Sequence, residues 1–440
     1  MTGQARNQPR KVAVIGGGWA GCAAAVELSR KGAAVTLFEA SRALGGRARC
    51  VEINGKKLDN GQHILLGAYG ETLRLMRTLG IAPEEVLLRL ALQMRYPQDS
   101  GGMDFVAPRL PAPLHLLVAL VRARGLARED KLALARFSTS ARWMDWKLDT
   151  DCSVAELLER FDQTDQLTRL MWRPLCIAAL NTPPERASAQ VFLNVLRDSL
   201  GARRAASDML IPRVDLSALL PERAAAFIKQ HRGTIEYGAN VRKIDRDNGR
   251  WRIDDRTETF DAIVVATQPA QAAALLENLV DVSSLRSFDY EPITTCYLQY
   301  PPHTTLPQPF YALLDDGASG DWGQFVFDRG QLDAGHAGLL AVVVSASSEA
   351  IAPGHQALTA AIAAQLAKVF RQPALASPEW AQVITEKRAT FSCTPALARP
   401  ANATALAGLA IAGDYTACDY PATLESAIRS GVRAAQCISG

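Results

Sequence analysis

The sequence predicts an α/β fold in two interleaved parts, a discontinuous Rossmann-like domain with an α+β domain inserted into it. Three observations carry this. A strand-turn-helix-strand unit with glycines at fixed spacing occupies residues 11–39. Two further apolar runs ending in small residues, 260–267 and 409–414, lie far downstream and read as strands of the same sheet. Between these pieces the βα rhythm is lost twice, to a helical stretch and then to a strand-rich one. The predicted division is 1–88, 205–286 and 392–440 for the Rossmann-like domain, with 89–204 and 287–391 forming the inserted one. A chain of 440 residues is too long for a single core and suits two domains.

The opening unit begins with Val12-Ala13-Val14-Ile15, a buried parallel strand by composition. Gly16, Gly18 and Gly21 form G-x-G-x-x-G. The first glycine permits the tight turn, the second lets backbone approach a pyrophosphate, and the third lets the following helix pack on the strand. Trp19 and Ala20 open that helix, whose free N–H groups and dipole favour phosphate. The second strand ends at Glu39, followed by Ala40, and 39 − 18 = 21 positions is the interval at which an acid meets a ribose hydroxyl. Gly45 and Gly46 allow backbone N–H groups near a second phosphate, and Arg47 can pair with it through its planar fork.

The G-x-G-x-x-G, Glu39 and Gly45-Gly46-Arg47 stand in the order and spacing of the flavin amine oxidase and phytoene desaturase superfamily, which this sequence resembles. The resemblance implies a two-domain flavoprotein with FAD. No cysteine or histidine lies in a recognisable tethering motif, so the FAD is expected to be noncovalent. It also implies roles for residues further along. Gln62 and His63, in Asp59-Asn60-Gly61-Gln62-His63, would lie near the flavin ring. Val241 would lie against adenine, and Ala266 and Thr267 would end a strand at the cofactor. Gly413 and Asp414 would meet the ribityl or pyrophosphate end. Ala422 and Thr423 would precede a helix whose N-terminus faces the flavin pyrimidine.

Taken in order, the remaining elements are a hairpin around Asn54-Gly55, a helix over 69–79, and short strands at 95–96 and 104–105. Helices follow near 111–125, 128–147, 153–161, 164–180 and 187–199. A helix over 216–230, strands at 234–237 and 241–245, and a hairpin at Asn248-Gly249 return to the first domain. The second insertion reads as strands over 293–300, 323–327 and 338–345 with a helix over 355–370.

Composition excludes several classes. A net charge of +3 with scattered Lys and Arg gives no footprint for nucleic acid. Eight cysteines without C-x-x-C spacing read as reduced thiols in a cytoplasmic compartment, and the dispersed histidines offer no metal set. The first eleven residues lack an apolar signal region, and no run reaches the roughly 20 apolar residues that span a bilayer. Residues 111–128 stand out. Leu114, Leu116, Leu117, Leu120 and Val121 precede Arg122, Arg124 and Arg128, a pattern that suits either a helix dipping into a membrane face or an ordinary core helix. The first reading predicts peripheral attachment to the inner face of the cytoplasmic membrane.

Three stretches narrow the resemblance: Gly16-Gly17-Gly18-Trp19-Ala20-Gly21, 58–69 and 172–182. They are similar to the branch of the superfamily found in bacterial hopanoid pathways, with glycine at Gly17 where alanine is usual. That branch implies reduction of hydroxysqualene to squalene with loss of water, by hydride from reduced flavin, alongside the upstream synthases of the squalene pathway. Such chemistry needs a dry chamber for a long isoprenoid and a proton source. His63, Asp419 and Tyr420 are the motif-adjacent candidates for the acid, with bound water as the alternative. His63 is equally readable as a loop histidine satisfying backbone, and Tyr420 as packing beside the flavin. The absence of a second G-x-G-x-x-G makes the reductant either diffusing NADPH or a protein electron donor. The alternatives on the same fold are a carotenoid-type desaturase, which moves hydride from substrate to FAD, and a non-catalytic prenyl-lipid carrier.

Overall fold

The computed structural model describes residues 9–439. Its organising element is a five-stranded parallel sheet in the order Thr234–Tyr237, Ala34–Glu39, Lys11–Ile15, Ala262–Val265, Leu409–Ile411. Neighbours run in register, with Val14 opposite Leu37 on one side and Val264 on the other. The chain leaves this sheet and returns to it twice, as the separated apolar runs require. The helix Trp19–Arg30 is buried from Trp19 to Ser29 because the C-terminal helix Leu424–Ser439 lies across it. A Cβ on Gly431 would come within 2.1 Å of the Ala20 carbonyl oxygen, so the two helices touch backbone to backbone.

The second sheet is antiparallel, in the order Phe310–Ala312, Phe325–Asp328, Leu339–Ser345, Tyr290–Gln299, Trp380–Phe391. Alternation divides its faces. Cys296, Leu298, Val342 and Val344 pack under the helix His355–Phe370 through Leu358 and Ile362. Phe310, Phe325, Phe327 and Val343 turn the other way, into a cavity. The helical insertion closes that cavity from the opposite side. Its base is an antiparallel pair, Leu87–Leu90 with Met209–Pro212, so the boundary expected at 89 falls inside a strand.

Several expected elements differ. Residues 241–243 are not strand, and the strand begins at Ile244. The Asp254 carboxylate accepts from the backbone N–H of both Arg242 and Lys243 at 2.9 Å, which removes those amides from a ladder. The run 260–267 is broken at Asp261: Thr259–Phe260 joins an antiparallel sheet and Ala262–Val265 the parallel one. The helix over 216–230 is divided at Leu220, because Pro221 starts a new one. Over 164–180 a π-helical turn, Thr168–Trp172, interrupts the α-helix. The strand Trp380–Phe391 was unanticipated.

Candidate active site

The turn after Ile15 is shaped by contact distances. Gly16 has φ +102°, and a Cβ there would lie 2.6 Å from the Ala266 carbonyl oxygen. A Cβ on Gly21 would lie 1.8 Å from the Gly16 oxygen. Both glycines are therefore demanded by the protein itself. Gly18 is different: nothing lies within 4 Å of its Cβ position, and its φ of −67° suits any residue. A glycine that the fold does not need marks a surface that a ligand approaches. The carboxylate of Glu39 accepts from Gly17 N–H at 2.7 Å and Ser41 N–H at 2.8 Å, fixing the acid at the edge of the turn.

This turn opens into one cavity of about 1310 Å³. Of the residues expected at the cofactor, all but Gly21 line it, and Gly21 acts in helix packing instead. Arg47 and Asp414 face each other across it at 2.7 Å, and Arg47 also donates to the carbonyl of Ala389 at 2.7 Å. The C-terminal helix begins at Leu424, with Ser426 N–H on the Thr423 hydroxyl at 3.1 Å, so its N-terminus opens onto the cavity. Tyr415, which sequence reasoning missed, lines the cavity with its hydroxyl buried and without a hydrogen-bond partner among the described residues. An orphaned phenol beside Asp414, an unfilled Cβ position at Gly18 and a helix N-terminus together fit a dinucleotide carrying phosphates and a polyol.

The candidate acids separate. Asp419 is exposed and does not line the cavity; only its carbonyl is used, by Asn194 at 3.0 Å. That is a correction to the expectation placing it with the reacting groups. His63 lines the cavity with Nδ1 2.7 Å from the Gly61 carbonyl, which accepts only, so Nδ1 carries the hydrogen. Burial pulls this imidazole below its ordinary range, and Arg47 adds to the effect against the Gly61 bond. His63 is thus held neutral with a bare Nε2. Tyr420 also lines the cavity. The Arg399 guanidinium gathers the carbonyls of Asp414, Cys418 and Tyr420, fixing the loop, and Arg429 lies over the Tyr420 ring at 5.0 Å. The Tyr420 hydroxyl donates to the carboxylate of Asp198, on the helix Ala189–Ser199. Burial together with Asp198 pushes the phenol up to about 12. Nothing in the sequence flags Asp198, since Arg197-Asp198 reads as a solvated charge pair.

Much of the remaining wall is apolar, supplied by the sheet phenylalanines on one side and by Met171, Leu175 and Leu196 on the other. Ligand cavities commonly run from about 300 to 1,000 Å³. This one exceeds that range, leaving a hydrocarbon-lined chamber beyond the cofactor turn.

This parallel sheet with its glycine turn is the dinucleotide-binding part of a two-domain flavoprotein, and the chain belongs to the flavin containing amine oxidoreductase family, whose model matches residues 19–439. Among curated proteins it is similar to hydroxysqualene dehydroxylase of Rhodopseudomonas palustris, 29% identical over 98% of both chains. The same enzyme of Sinorhizobium fredii is 27% identical over 97% of this chain and 98% of its own. Zeta-carotene desaturase of Synechocystis is 25% identical over 97% of each. Solved structures of the same fold include an oxidoreductase from Methanosarcina mazei, with TM-score 0.73 and 16% identity over 97% of this chain and 99% of that one. Cyclohexylamine oxidase from Brevibacterium oxydans gives TM-score 0.69 and 18% identity over 98% and 99%.

Proposed function

We propose that this protein reduces hydroxysqualene to squalene with loss of water, as the similar dehydroxylases do by name. The observation that carries the reading is the single cavity joining the cofactor turn to an apolar chamber with a hydrogen-bonding pair, Asp198 and Tyr420, in its wall. A reduced FAD supplies a hydride when bound. The carbon–oxygen bond of the allylic alcohol breaks, hydride adds at carbon, and the hydroxyl leaves as water with one proton. The apolar wall excludes solvent from the cationic carbon. The N-terminus of the helix Leu424–Ser439 favours negative charge on the cofactor. None of the three candidate acids presents a hydrogen to the chamber: Asp419 lies outside, Nδ1–H of His63 is turned to Gly61, and the Tyr420 hydrogen is on Asp198. Bound water is therefore assigned as the proton source. A bound flavin would be reduced again by NADPH or a protein electron donor.

The substrate reaches the chamber from a lipid surface. Leu114, Leu117 and Val121 are 49%, 55% and 67% exposed on the helix Leu114–Arg122, and Leu132 and Trp143 add to the apolar surface from the next helix. Leu116 and Leu120, which the sequence grouped with the inserting residues, pack against the core instead. Leu200, Ala202 and Ala206 line the cavity, and Gly201 between them lies beside Trp146, which follows the helix Arg128–Trp143. No described helix is long and apolar enough to cross a membrane. The attachment proposed here, supported by the exposed apolar side chains, is monotopic, at the inner face of the cytoplasmic membrane.

The test is anaerobic mixing of chemically reduced enzyme with hydroxysqualene. Flavin reoxidation with equimolar squalene is expected. Reduced enzyme that stays reduced, together with oxidised enzyme that is bleached by a polyene hydrocarbon, would identify a desaturase instead.

A further inference from the structure

We infer that Asp198 is a specificity-determining residue: by holding the hydrogen of the Tyr420 hydroxyl, it presents the phenol oxygen to the chamber as an acceptor, so that the site selects a hydrocarbon bearing a hydrogen-bond-donating alcohol. The inference rests on the function proposed above and names what recognises the hydroxyl.

Asp198 and Tyr420 are 222 positions apart, one on a helix of the insertion and the other on the loop before the C-terminal helix. The Asp198 carboxylate is held by the fork of Arg197, Nε to Oδ1 at 2.7 Å and Nη2 to Oδ2 at 3.3 Å. Burial pushes this carboxyl up, but Arg197 and Tyr420 outweigh it and keep it below the ordinary carboxylate range. An ionised carboxylate only accepts, so the one phenolic hydrogen must point to it, and the lone pairs of the phenol oxygen are what remains. The ring cannot readily turn away, because Arg429 lies over its face and Arg399 holds its backbone carbonyl at 2.6 Å. Two other polar side chains of the wall are already committed. Asn181 donates to Glu291 and Thr390 and accepts from Ala346, and Gln62 accepts from Arg329 and donates to His63. A buried acceptor left unpaired by a hydroxyl-free hydrocarbon is costly, whereas an alcohol satisfies it.

The substitution Asp198→Asn reverses the polarity. Arg197 draws the amide oxygen, which turns the amide N–H₂ toward Tyr420 and frees the phenolic hydrogen for the chamber. Binding to the oxidised FAD-loaded enzyme is followed by the flavin absorbance change with three probes: hydroxysqualene, its methyl ether, which accepts but cannot donate, and squalene. The parent should bind the alcohol about tenfold more tightly than either other probe. In Asp198→Asn the alcohol-over-ether preference should fall to roughly twofold or less, with squalene affinity unchanged. Asp198→Asn with the parental alcohol-over-ether ratio overturns the inference. Should that variant fail to fold or to hold FAD, Tyr420→Phe decides: the alcohol must lose its advantage over squalene, and a retained advantage overturns the inference. A single turnover of the parent with hydroxysqualene separates the two levels. If the parent forms squalene but the variants discriminate as it does, Asp198 has been misassigned and the activity stands. If the parent neither binds nor reduces the alcohol, both fall.

Discussion

Replacing Leu114, Leu117 and Val121 together with serine should remove most of the affinity for anionic vesicles while leaving fold and flavin intact. Full burial of a large aliphatic side chain is worth about 1.5–3 kcal/mol. These three retain about half to two-thirds of their surface in water, at 49%, 55% and 67% exposure, so insertion recovers about 1 kcal/mol from each. The three changes then cost about 3 kcal/mol, roughly a hundredfold in the partition constant. Arg122, Arg124 and Arg128 are exposed beside the patch and add about 1 kcal/mol each near anionic lipid. That part is screened by salt and the apolar part is not. The assay is co-sedimentation with phosphatidylglycerol-containing vesicles at low and high salt. The parent should keep substantial binding at high salt, and the triple variant should keep only a salt-sensitive remnant. Leu116→Ser with Leu120→Ser serves as the contrast: these side chains pack on the core, so the pair should lower thermal stability. A folded, flavin-bearing triple variant that sediments like the parent at high salt would refute the assignment of this patch. A triple variant that unfolds would contradict the exposure on which the estimate stands.

Gly18→Ala should fold with parental stability but lose FAD, because its Cβ meets no protein atom within 4 Å, whereas Gly21→Ala should destabilise the fold itself, its Cβ falling 1.8 Å from the Gly16 oxygen; flavin content and thermal melts distinguish the two, and a Gly18→Ala protein with full flavin would remove the pyrophosphate from this turn. Glu39→Ala should weaken FAD retention by about 1.5–3 kcal/mol through the lost charge-assisted bond, measured by equilibrium dialysis, and undiminished retention would refute the ribose assignment. Asp59 is a buried carboxyl that burial pushes up from 3.8 to about 6, against the Leu216 amide and Arg329. Its folded-state value is raised, so the folded chain keeps a proton that the unfolded chain has lost. The stability this carries is complete at or below about pH 4, declines as pH rises, and has been lost above about pH 6, a difference of about 3 kcal/mol. Asp59→Asn should therefore stabilise the protein at pH 8 and not at pH 4. Urea unfolding at both values checks this, and an equal effect at the two would show that Asp59 titrates normally.

The cofactor half of the molecule was legible because its determinants are local. Gly16, Gly18, Gly21 and Glu39 act within one strand-turn-helix-strand unit, where spacing alone fixes what each can touch. The inserted domain was read only in outline. The strand Trp380–Phe391 has a polar, mostly half-exposed sequence without clean alternation, and pairing with Tyr290–Gln299 at the sheet edge makes it a strand. Val241 opens a stretch that reads as strand, yet the Asp254 carboxylate takes the next two amides and keeps the segment a loop at the cavity. A nearly unbroken apolar run such as 114–121 has too little periodicity to say which face is turned inward, so Leu116 and Leu120 could not be told from Leu117 and Val121. Asp198 is the extreme case. Its sequence neighbourhood describes an ordinary amphipathic helix, and its meeting with Tyr420 depends on how the insertion closes over the C-terminal loop. Short-range spacing determined the turn at which a dinucleotide is proposed to bind. Long-range packing decided which polar groups face the chamber, because a side chain's chemistry there depends on partners that the sequence places hundreds of residues away.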